Sequence, residues 1–515
     1  MMRFIQLSFL FVLVSITTIC WAQVTNQQVS KVKVPEKAPE FAAIPVDDLT
    51  SKERDILIKI QYLLRAVSSL KRFSGAVIIA KEGKPLYKFT AGFANLDYMV
   101  PNSLTTSYNT CAVTETFTAL AIMQLAEQGI IDLNAPISTY LPELPAEVGS
   151  KLTIHNLLTH TSGLPDYYQS VNYMQNFLNI KSNTDMVNLI TSENAPCNTN
   201  AHQFTNSGYV FLGSIIDRMS GKDYQSYIVD NIFKPAKMLN TAPHFWHQVV
   251  DNKAVGYKFD NSLEAAASPD FWGAFPFGAD GVYSTTEDLL RFCNALDSTS
   301  LLSNEYKKIM YTDYTVGSSE AQKMTFGYAY GWKTRKIGKK NVLFQGGYID
   351  GLSVQLRRYI DDKYTVIVCS NYNVNIAADL ADRIEQTLYD ESYFIPSEPT
   401  AFVVNDLIQR EGLVTVINNF DKMLEDNRTK LENVWTLNSL GNEYMKDNNW
   451  QASLEILKLN SQRFPKEPIV WDSLGEYYFR KKDYKKSAEY FIKKLEVSPN
   501  DKRAKGMISF MQKTQ

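Results

Sequence analysis

The chain has 515 residues, of which 45% are hydrophobic and 12% aromatic, with 53 Lys and Arg against 55 Asp and Glu. This length is too great for one ordinary hydrophobic core, so we expect at least two domains, and the apolar fraction excludes a largely disordered protein. The formal net charge of −2 excludes the positive excess with which proteins bind nucleic acids, so we expect no nucleic-acid partner.

The first residues have the pattern of an export signal. Arg3 gives a basic start, an apolar run covers 4–19, and Ala22 is a small residue suited to cleavage. The apolar run is short for a membrane span, which makes a membrane anchor the weaker interpretation. We predict a signal peptide at 1–22, a periplasmic or extracellular protein, and no transmembrane segment in the mature chain.

A folded domain is expected after a short linker. Residues 23–46 are rich in Val, Lys, Pro and Gln without periodicity, which predicts a linker before a first domain at 47–395. Helical spacing of apolar residues predicts a helix over 47–70, and a β-hairpin follows with strands at 75–80 and 85–89. A second strand pair at 352–358 and 364–369 precedes a helix at about 374–390. Strands that bracket a mostly helical middle predict an α/β or α+β sandwich.

Beyond residue 396 the pattern is helical throughout. A Leu-Gly-x-x-Tyr pattern begins at Leu440 and again at Leu474, and the prolines Pro465 and Pro499 recur at the same spacing. The stretch from Trp471 onward matches the W-x-x-L-G-x-x-Y pattern of tetratricopeptide repeats. We therefore predict a tetratricopeptide-like domain at 396–515 that binds a protein partner on its concave surface; the alternative is a helical bundle with coincidental spacing.

A buried helix is predicted from Ala112 to Gln128, closed by Gly129. Five further stretches begin at Phe73 (FSGAVIIA), Leu157 (LLTHTSGLP), Thr205 (TNSGYVFLG), Gly278 (GADGVYSTTED) and Gln345 (QGG). Together with the helix, and in this order, they resemble the serine β-lactamase-related family, which includes class C β-lactamases, D-alanyl-D-alanine carboxypeptidases, D-aminopeptidases and related esterases. The resemblance covers roughly 55–390 and implies a β-lactamase/transpeptidase-like sandwich with an antiparallel sheet and a helical subdomain.

The resemblance also implies the chemistry of acyl transfer. In this family a Ser at the start of the buried helix attacks a carbonyl, and a Lys one turn later helps to remove the hydroxyl proton. A Tyr in a Y-x-N motif supports proton transfer, and a third motif of K-T-G or H-x-G type lines the facing strand. Backbone N–H groups, one of them from the Ser, stabilise the oxyanion.

This chain departs from the family pattern at four positions. Ala112 stands where the nucleophile is expected, and Glu115 stands where the Lys is expected; Phe204 and Gln345 replace the Tyr and the His. Loss of the nucleophile alone costs on the order of 10⁶ in rate. The resemblance therefore implies a degenerate catalytic set. The expected ligand cleft contains Ala112, Glu115, Phe204, Asn206, Gln345, Gly346 and Gly347.

The sequence contains other candidates for the lost nucleophile or base. Ser30 and Ser68 each begin an S-x-x-K pattern, but one lies in the linker and the other before the first strand. Cys111 precedes Ala112, where a thiol near a helix start can be activated, although no His is evident as its base. A buried Glu115 could act as a general acid or base. His160 belongs to a family turn and is expected to be structural.

We predict an exported β-lactamase-related pseudoenzyme that binds a ligand or a protein. The cleft would take a peptide, glycan or small molecule, and no cofactor or metal is expected. The alternative is a peptidase, esterase or β-lactamase-like enzyme with an altered mechanism, and a third hypothesis is a structural platform for the repeats. The cysteines cannot be paired from the sequence. Aromatic side chains expected at the cleft rim are Tyr167, Tyr168, Phe271, Trp272 and Phe275.

Overall fold

The structure is a computed structural model of the whole chain. It describes residues 32–33, 39–43, 49–70, 72–192, 202–245, 247–259, 264–267, 275–315, 326–349, 351–372, 376–389, 400–427, 429–431 and 433–514. The predicted signal peptide at 1–22 lies outside these residues. Within them, no helix has the length and apolar character needed to cross a membrane.

The strands are β1 (Val32–Lys33), β2 (Glu40–Ala43), β3 (Gly75–Lys81), β4 (Lys84–Ala91), β5 (Phe93–Asn95), β6 (Val100–Pro101), β7 (Tyr108–Asn109), β8 (Ala242–Pro243), β9 (Tyr257–Phe259), β10 (Glu264–Ala267), β11 (Val282–Ser284), β12 (Gly327–Tyr328), β13 (Lys333–Ile337), β14 (Lys340–Ile349), β15 (Leu352–Tyr359) and β16 (Tyr364–Ser370).

The α-helices are α1 (Ser51–Ser69), α2 (Thr114–Glu127), α3 (Ala146–Gly149), α4 (Ile154–Leu158), α5 (Val171–Asn176), α6 (Asn183–Thr191), α7 (Asn206–Ser220), α8 (Tyr224–Ile228), α9 (Thr286–Asp297), α10 (Asn304–Met310), α11 (Ile376–Tyr389), α12 (Thr400–Glu411), α13 (Leu413–Asn418), α14 (Phe420–Asp426), α15 (Val434–Lys446), α16 (Trp450–Arg463), α17 (Pro468–Arg480), α18 (Tyr484–Val497) and α19 (Lys502–Thr514).

An eight-stranded antiparallel sheet forms the centre of the first domain. Its strand order is β12-β13-β14-β15-β16-β3-β4-β2. The two strand pairs predicted from the sequence, β3 with β4 and β15 with β16, lie side by side because β16 also pairs with β3. The first and last parts of this domain therefore meet in the middle of one sheet.

Alternate residues of β3 face two different cores. Val77 and Ile79 pack in one cluster with α1 and α11, whereas Ala76 and Ile78 belong to a larger cluster that includes α2. This alternation follows from the pleat of a strand, in which successive side chains point to opposite faces. The sheet thus lies between two helical layers, and the predicted sandwich is confirmed. Helix α2 is enclosed, since every residue from Thr114 to Ala126 is buried.

Part of the predicted linker belongs to the sheet instead. Glu40–Ala43 forms β2, which runs antiparallel to β4 with Phe41 opposite Thr90, and β1 pairs with β10. An ion pair of 2.6 Å between Glu40 and Arg65 ties β2 to α1. Four residues are too few for a strand pattern to be recognised in sequence, which explains the difference. The remaining linker positions at 23–31 and 34–38 lie outside the described residues.

The described part of the chain after residue 400 is helical. Helices α15 and α17 begin 34 residues apart, and each packs on the helix that follows it. Glycines allow this close packing, because a Cβ on Gly441 would lie 2.6 Å from Leu457 and one on Gly475 would lie 2.9 Å from Phe491. The helical region predicted after residue 396 is therefore present, although its proposed boundary lies outside the described residues.

Three of the cysteines are buried thiols rather than disulfide partners. These are Cys111, Cys293 and Cys369, while Cys197 lies outside the described residues. Burial raises the pKa of the Cys293 thiol to about 12, so this sulfur is a core group.

Candidate functional site

The start of α2 is a sharp turn of the chain. Residues Cys111–Val113 form a single 3₁₀ turn, so the α-helix proper begins at Thr114, two residues later than predicted. Cys111 has φ of 49°, a left-handed conformation that is costly for a residue with a side chain. Its N–H donates to Asn109 Oδ1 at 2.8 Å. The turn leaves Ala112 partly exposed between buried neighbours.

Strand β14 passes directly over Ala112. A Cβ on Gly347 would lie 2.9 Å from the backbone nitrogen of Ala112 and 3.1 Å from its Cβ. Only glycine fits at this distance, so the contact explains the residue type at position 347. The first and third motifs of the family pattern therefore meet across a narrow gap. Tyr348, the next residue of the strand, has 54% of its surface exposed.

The side chain of Glu115 lies one helical turn below Ala112 and is fully buried. Its Oε2 accepts hydrogen bonds from the Tyr328 hydroxyl at 3.0 Å and from Gln345 Nε2 at 2.9 Å. His160 Nε2 lies 3.5 Å from the same oxygen and 2.8 Å from the Tyr328 hydroxyl. We call these four residues, Glu115, His160, Tyr328 and Gln345, the Glu115 centre.

The Glu115 centre can hold a polar group but contains no nucleophile. Burial first, and then the nearby Glu115, raises the pKa of the Tyr328 hydroxyl well above its usual value, so Tyr328 donates a hydrogen bond rather than acting as a base. Gln345 also donates to the carbonyl of Gly331 at 3.3 Å, which fixes its amide. The Oε1 atom of Glu115 has no hydrogen-bond partner among the described residues.

The second motif lies beside this centre. The ring of Phe204 is 42% exposed and stands 4.6 Å from the His160 ring, centroid to centroid. Asn206 begins α7, where the Thr205 side chain caps the helix. Asn206 Nδ2 donates to Asp166 Oδ2 at 2.8 Å. The asparagine that follows the family pattern is therefore held by an acid that sequence analysis did not single out.

A second buried acid, Asp280, was also missed from the sequence. Its side chain is 4% exposed, and its Oδ2 accepts from the hydroxyls of Tyr168 at 2.5 Å and Tyr167 at 3.3 Å. Burial raises the pKa of Asp280 to about 7. The sequence does mark this position, because Asp280 is the one charged residue in the stretch from Gly278 to Val282.

Two of the aromatic residues expected at the cleft rim belong to the core instead. Tyr167 and Phe275 are each 3% exposed, and Phe275 packs on Phe277 with 5.6 Å between ring centroids. Tyr168 is partly exposed, while Phe271 and Trp272 lie outside the described residues. An aromatic residue in a loop buries its ring when neighbouring rings are available, which the sequence does not reveal.

The alternative nucleophiles are poorly placed. Cys111 is 2% exposed, and its sulfur points back to the Asn109 carbonyl at 3.6 Å. Ser68 lies near the end of α1 on the other face of the sheet, and Ser30 lies outside the described residues. His160, expected to be structural, is a member of the Glu115 centre. In the described ranges, no group of three His, Cys, Asp or Glu side chains is arranged to hold a metal ion.

Comparison with known proteins supports the architecture. A family model described as Beta-lactamase matches residues 61–390, which is more than half of the chain. Penicillin-binding protein 4* of Bacillus subtilis is 29% identical over 358 residues, covering 66% of this chain and 78% of the relative. The putative penicillin-binding protein PbpX of Bacillus subtilis is 30% identical over 261 residues, covering 50% of this chain and 63% of the relative. The crystal structure of a penicillin binding protein from Bacillus halodurans has a TM-score of 0.54 at 26% identity, covering 63% of this chain and 98% of that one.

Proposed function

Because the chain belongs to the beta-lactamase family over residues 61–390, we propose that it is a ligand-binding member of that family in which acyl transfer has been lost. The proposal rests on the side chain at position 112. A methyl group, that of Ala112, lies at the start of the buried helix and directly under Gly347, where the family pattern places the nucleophile. A methyl group has no lone pair with which to attack a carbonyl.

The neighbouring substitutions fit the same function. Glu115 places an acid where a lysine is expected, and neutral donors from Tyr328 and Gln345 hold its side chain in place. The close packing of Gly347 on Ala112 supports a cleft that keeps the family's shape. The exposed rings of Phe204 and Tyr348 provide apolar surface on which a peptide, glycan or small molecule could stack.

A hydrolase with an altered mechanism is the second candidate. It is favoured by the Oε1 atom of Glu115, which has no partner among the described residues and could orient a water molecule for attack. Cys111 is the weaker choice for this role because its thiol is buried and bonded to its own loop. The two candidates differ in turnover, since only the hydrolase consumes substrate.

Mass spectrometry with a fluorophosphonate and a penicillin probe tests the proposal. We expect no covalent adduct on the purified wild-type protein. The matched control carries Ala112→Ser, Glu115→Lys, Phe204→Tyr and Gln345→His together, which restores the family pattern, and we expect it to be labelled at position 112. Labelling of the control alone supports an intact cleft that lacks only the chemistry.

Two results would contradict the proposed loss of chemistry. One is an adduct on the wild-type protein, whose position would identify the nucleophile. The other is hydrolysis of a chromogenic ester or β-lactam by the wild-type protein that disappears in Glu115→Gln, which would establish the hydrolase. A control variant that folds but stays unlabelled would count against an intact cleft.

We also propose that the helices from 434 onward are tetratricopeptide-like repeats that bind a protein partner, and that the chain is exported. The 34-residue spacing of α15 and α17 and the glycine contacts between their helix pairs support the first idea. The pattern of residues 1–22 supports the second. Mass spectrometry of the mature N-terminus after cell fractionation would test export, and cleavage near residue 22 is the expected result.

A further inference from the structure

The loop that carries Asp280 is fixed along the start of α2. The Thr118 hydroxyl donates to the Gly278 carbonyl at 2.6 Å, and the Thr110 N–H donates to the Val282 carbonyl at 2.8 Å. Asp280 lies between these two anchors. Its carboxyl group is therefore built into the wall of the domain next to the Ala112 turn.

This carboxyl group has hydrogen-bond donors on one oxygen only. Oδ2 accepts from Tyr168 and Tyr167, whereas Oδ1 has no partner among the described residues. Two further acids, Asp166 and Glu115, act in the same direction as burial on the pKa of Asp280, and no Lys or Arg in the described part of the chain forms an ion pair with it. A buried acid without a cationic partner is costly, so a position that keeps one calls for a ligand that compensates it.

Three tyrosine rings pack together beside this carboxyl group. The ring centroids of Tyr167 and Tyr168 are 4.5 Å apart, and Tyr173 lies 4.9 Å and 5.7 Å from them. The Tyr173 hydroxyl is buried and, like Asp280 Oδ1, has no partner in the described part of the chain. Tyrosine faces attract cations, and several rings around a carboxylate form the type of cage that recognises ammonium groups.

Asp166 connects the tyrosine cluster to the second motif of the cleft. This acid accepts from Asn206 Nδ2 at 2.8 Å and from the Tyr168 N–H at 3.0 Å, which joins the second motif to the tyrosines. Asp166, Tyr168 and Asn206 are each partly exposed, whereas Asp280 and Tyr173 are buried behind them. The partly exposed members of the cluster are therefore the ones that bond to the second motif, and the acid Asp280 is its buried member.

We propose that Asp280 and the rings of Tyr167, Tyr168 and Tyr173 form a subsite for the primary ammonium group of a ligand bound in the cleft. The inference rests on the proposed binding function and adds the chemical class of the ligand. One ammonium N–H donates to Asp280 Oδ1, another reaches the Tyr173 hydroxyl oxygen, and the ring faces surround the charge. The step is reversible binding, and no bond is broken.

Calorimetric titration of the full chain near neutral pH tests the subsite with benzylamine, which is cationic, and with benzyl alcohol, its neutral counterpart. We expect benzylamine to bind at least about tenfold more tightly. Asp280→Asn should reduce this preference to about twofold or less. Asp223→Asn is the matched control, since it removes the same charge at an exposed helix cap that Asn also forms, and it should keep the preference.

A second variant decides the question if Asp280→Asn does not fold. Tyr168→Leu keeps the carboxyl group but removes one ring and one of the two hydroxyl donors to Asp280, and we expect it to weaken benzylamine binding by about threefold to tenfold while benzyl alcohol binding changes less. Equal affinity for the two probes, or no binding of benzylamine, would overturn the ammonium subsite. Neither result touches the proposed loss of acyl transfer, which is decided separately by covalent labelling of the wild-type protein.

Discussion

Two buried acids, one in each region of the molecule, are compensated in different ways. In the helical region, Asp472 is 7% exposed, lies 2.7 Å from Lys494 Nζ, and also contacts Arg503. In the sheet domain, Asp280 is equally buried but is bonded only to tyrosine hydroxyls. An acid that is paired with a cation inside the fold helps to stabilise the fold. An acid without such a partner can still bind a cation from outside the chain.

The pKa values of the partner groups reflect this difference. Burial alone would lower the pKa of Lys494, yet the carboxylates of Asp472 and Asp501 hold it above its usual value. Burial raises the pKa of Asp280 to about 7, and the nearby acids Asp166 and Glu115 act in the same direction. The charge of Asp472 is compensated by cations of the chain, whereas the charge of Asp280 is compensated by a proton or by a bound cation.

Removing Lys494 should produce the largest effect on stability, because it removes a cation that pairs with the buried Asp472. Lys494→Ala leaves Asp472 buried with Arg503 alone, and we expect a loss of about 3 kcal/mol in the free energy of unfolding of the helical region. Urea denaturation of the full chain, followed by tryptophan fluorescence and far-UV circular dichroism, measures it. Lys485→Ala on the exposed side of the same helix is the control. A loss below about 0.5 kcal/mol would show that Arg503 suffices.

An effect of comparable size is expected from pH, because the proton that Asp280 binds in the folded protein can be lost. The pKa of about 7 in the folded state exceeds the ordinary value near 4, so the folded protein binds more protons between these limits. The contribution of Asp280 to stability is therefore full below about pH 4 and falls as pH rises toward 7, by about 2–4 kcal/mol.

The variant Asp280→Asn tests whether the titration of Asp280 causes this pH dependence. Asparagine does not titrate, so the variant should gain stability relative to wild type as pH rises from 4 to 8. Thermal or urea unfolding of both proteins across this range measures the difference. Parallel stability profiles would mean that Asp280 ionises at an ordinary pKa, and the contrast with Asp472 would then disappear.

The smallest effect is expected at the surface, where water compensates charges without help from the fold. Arg218 and Glu143 form a bidentate pair with N···O distances of 2.8 and 2.9 Å, and both side chains are nearly half exposed. A double-mutant cycle with Arg218→Gln and Glu143→Gln should give a coupling of about 0.5 kcal/mol that fades in high salt. A coupling above about 2 kcal/mol would show that burial is not the deciding variable.

Sequence reasoning predicted the sheet better than the site. The strands around Val77 and Val366 are runs of β-branched residues bounded by turns, and such local patterns identify strands without knowledge of the fold. The Glu115 centre depends on Tyr328, which is 213 residues away along the chain, and nothing near Tyr328 marks it as a partner. Motif positions could thus locate Ala112 and Gln345, while the groups that surround them required the folded structure.

The outermost strands of the large sheet carry a consequence for the behaviour of the protein in concentrated solution. At one side β12 has two residues, and at the other β2 has four. A long outer strand presents a row of unpaired backbone groups on which a second chain can add, which is a common route to aggregation. Among the described residues the two outer strands are too short to offer a long row of such groups, so a second chain would gain few backbone hydrogen bonds by adding on either of them.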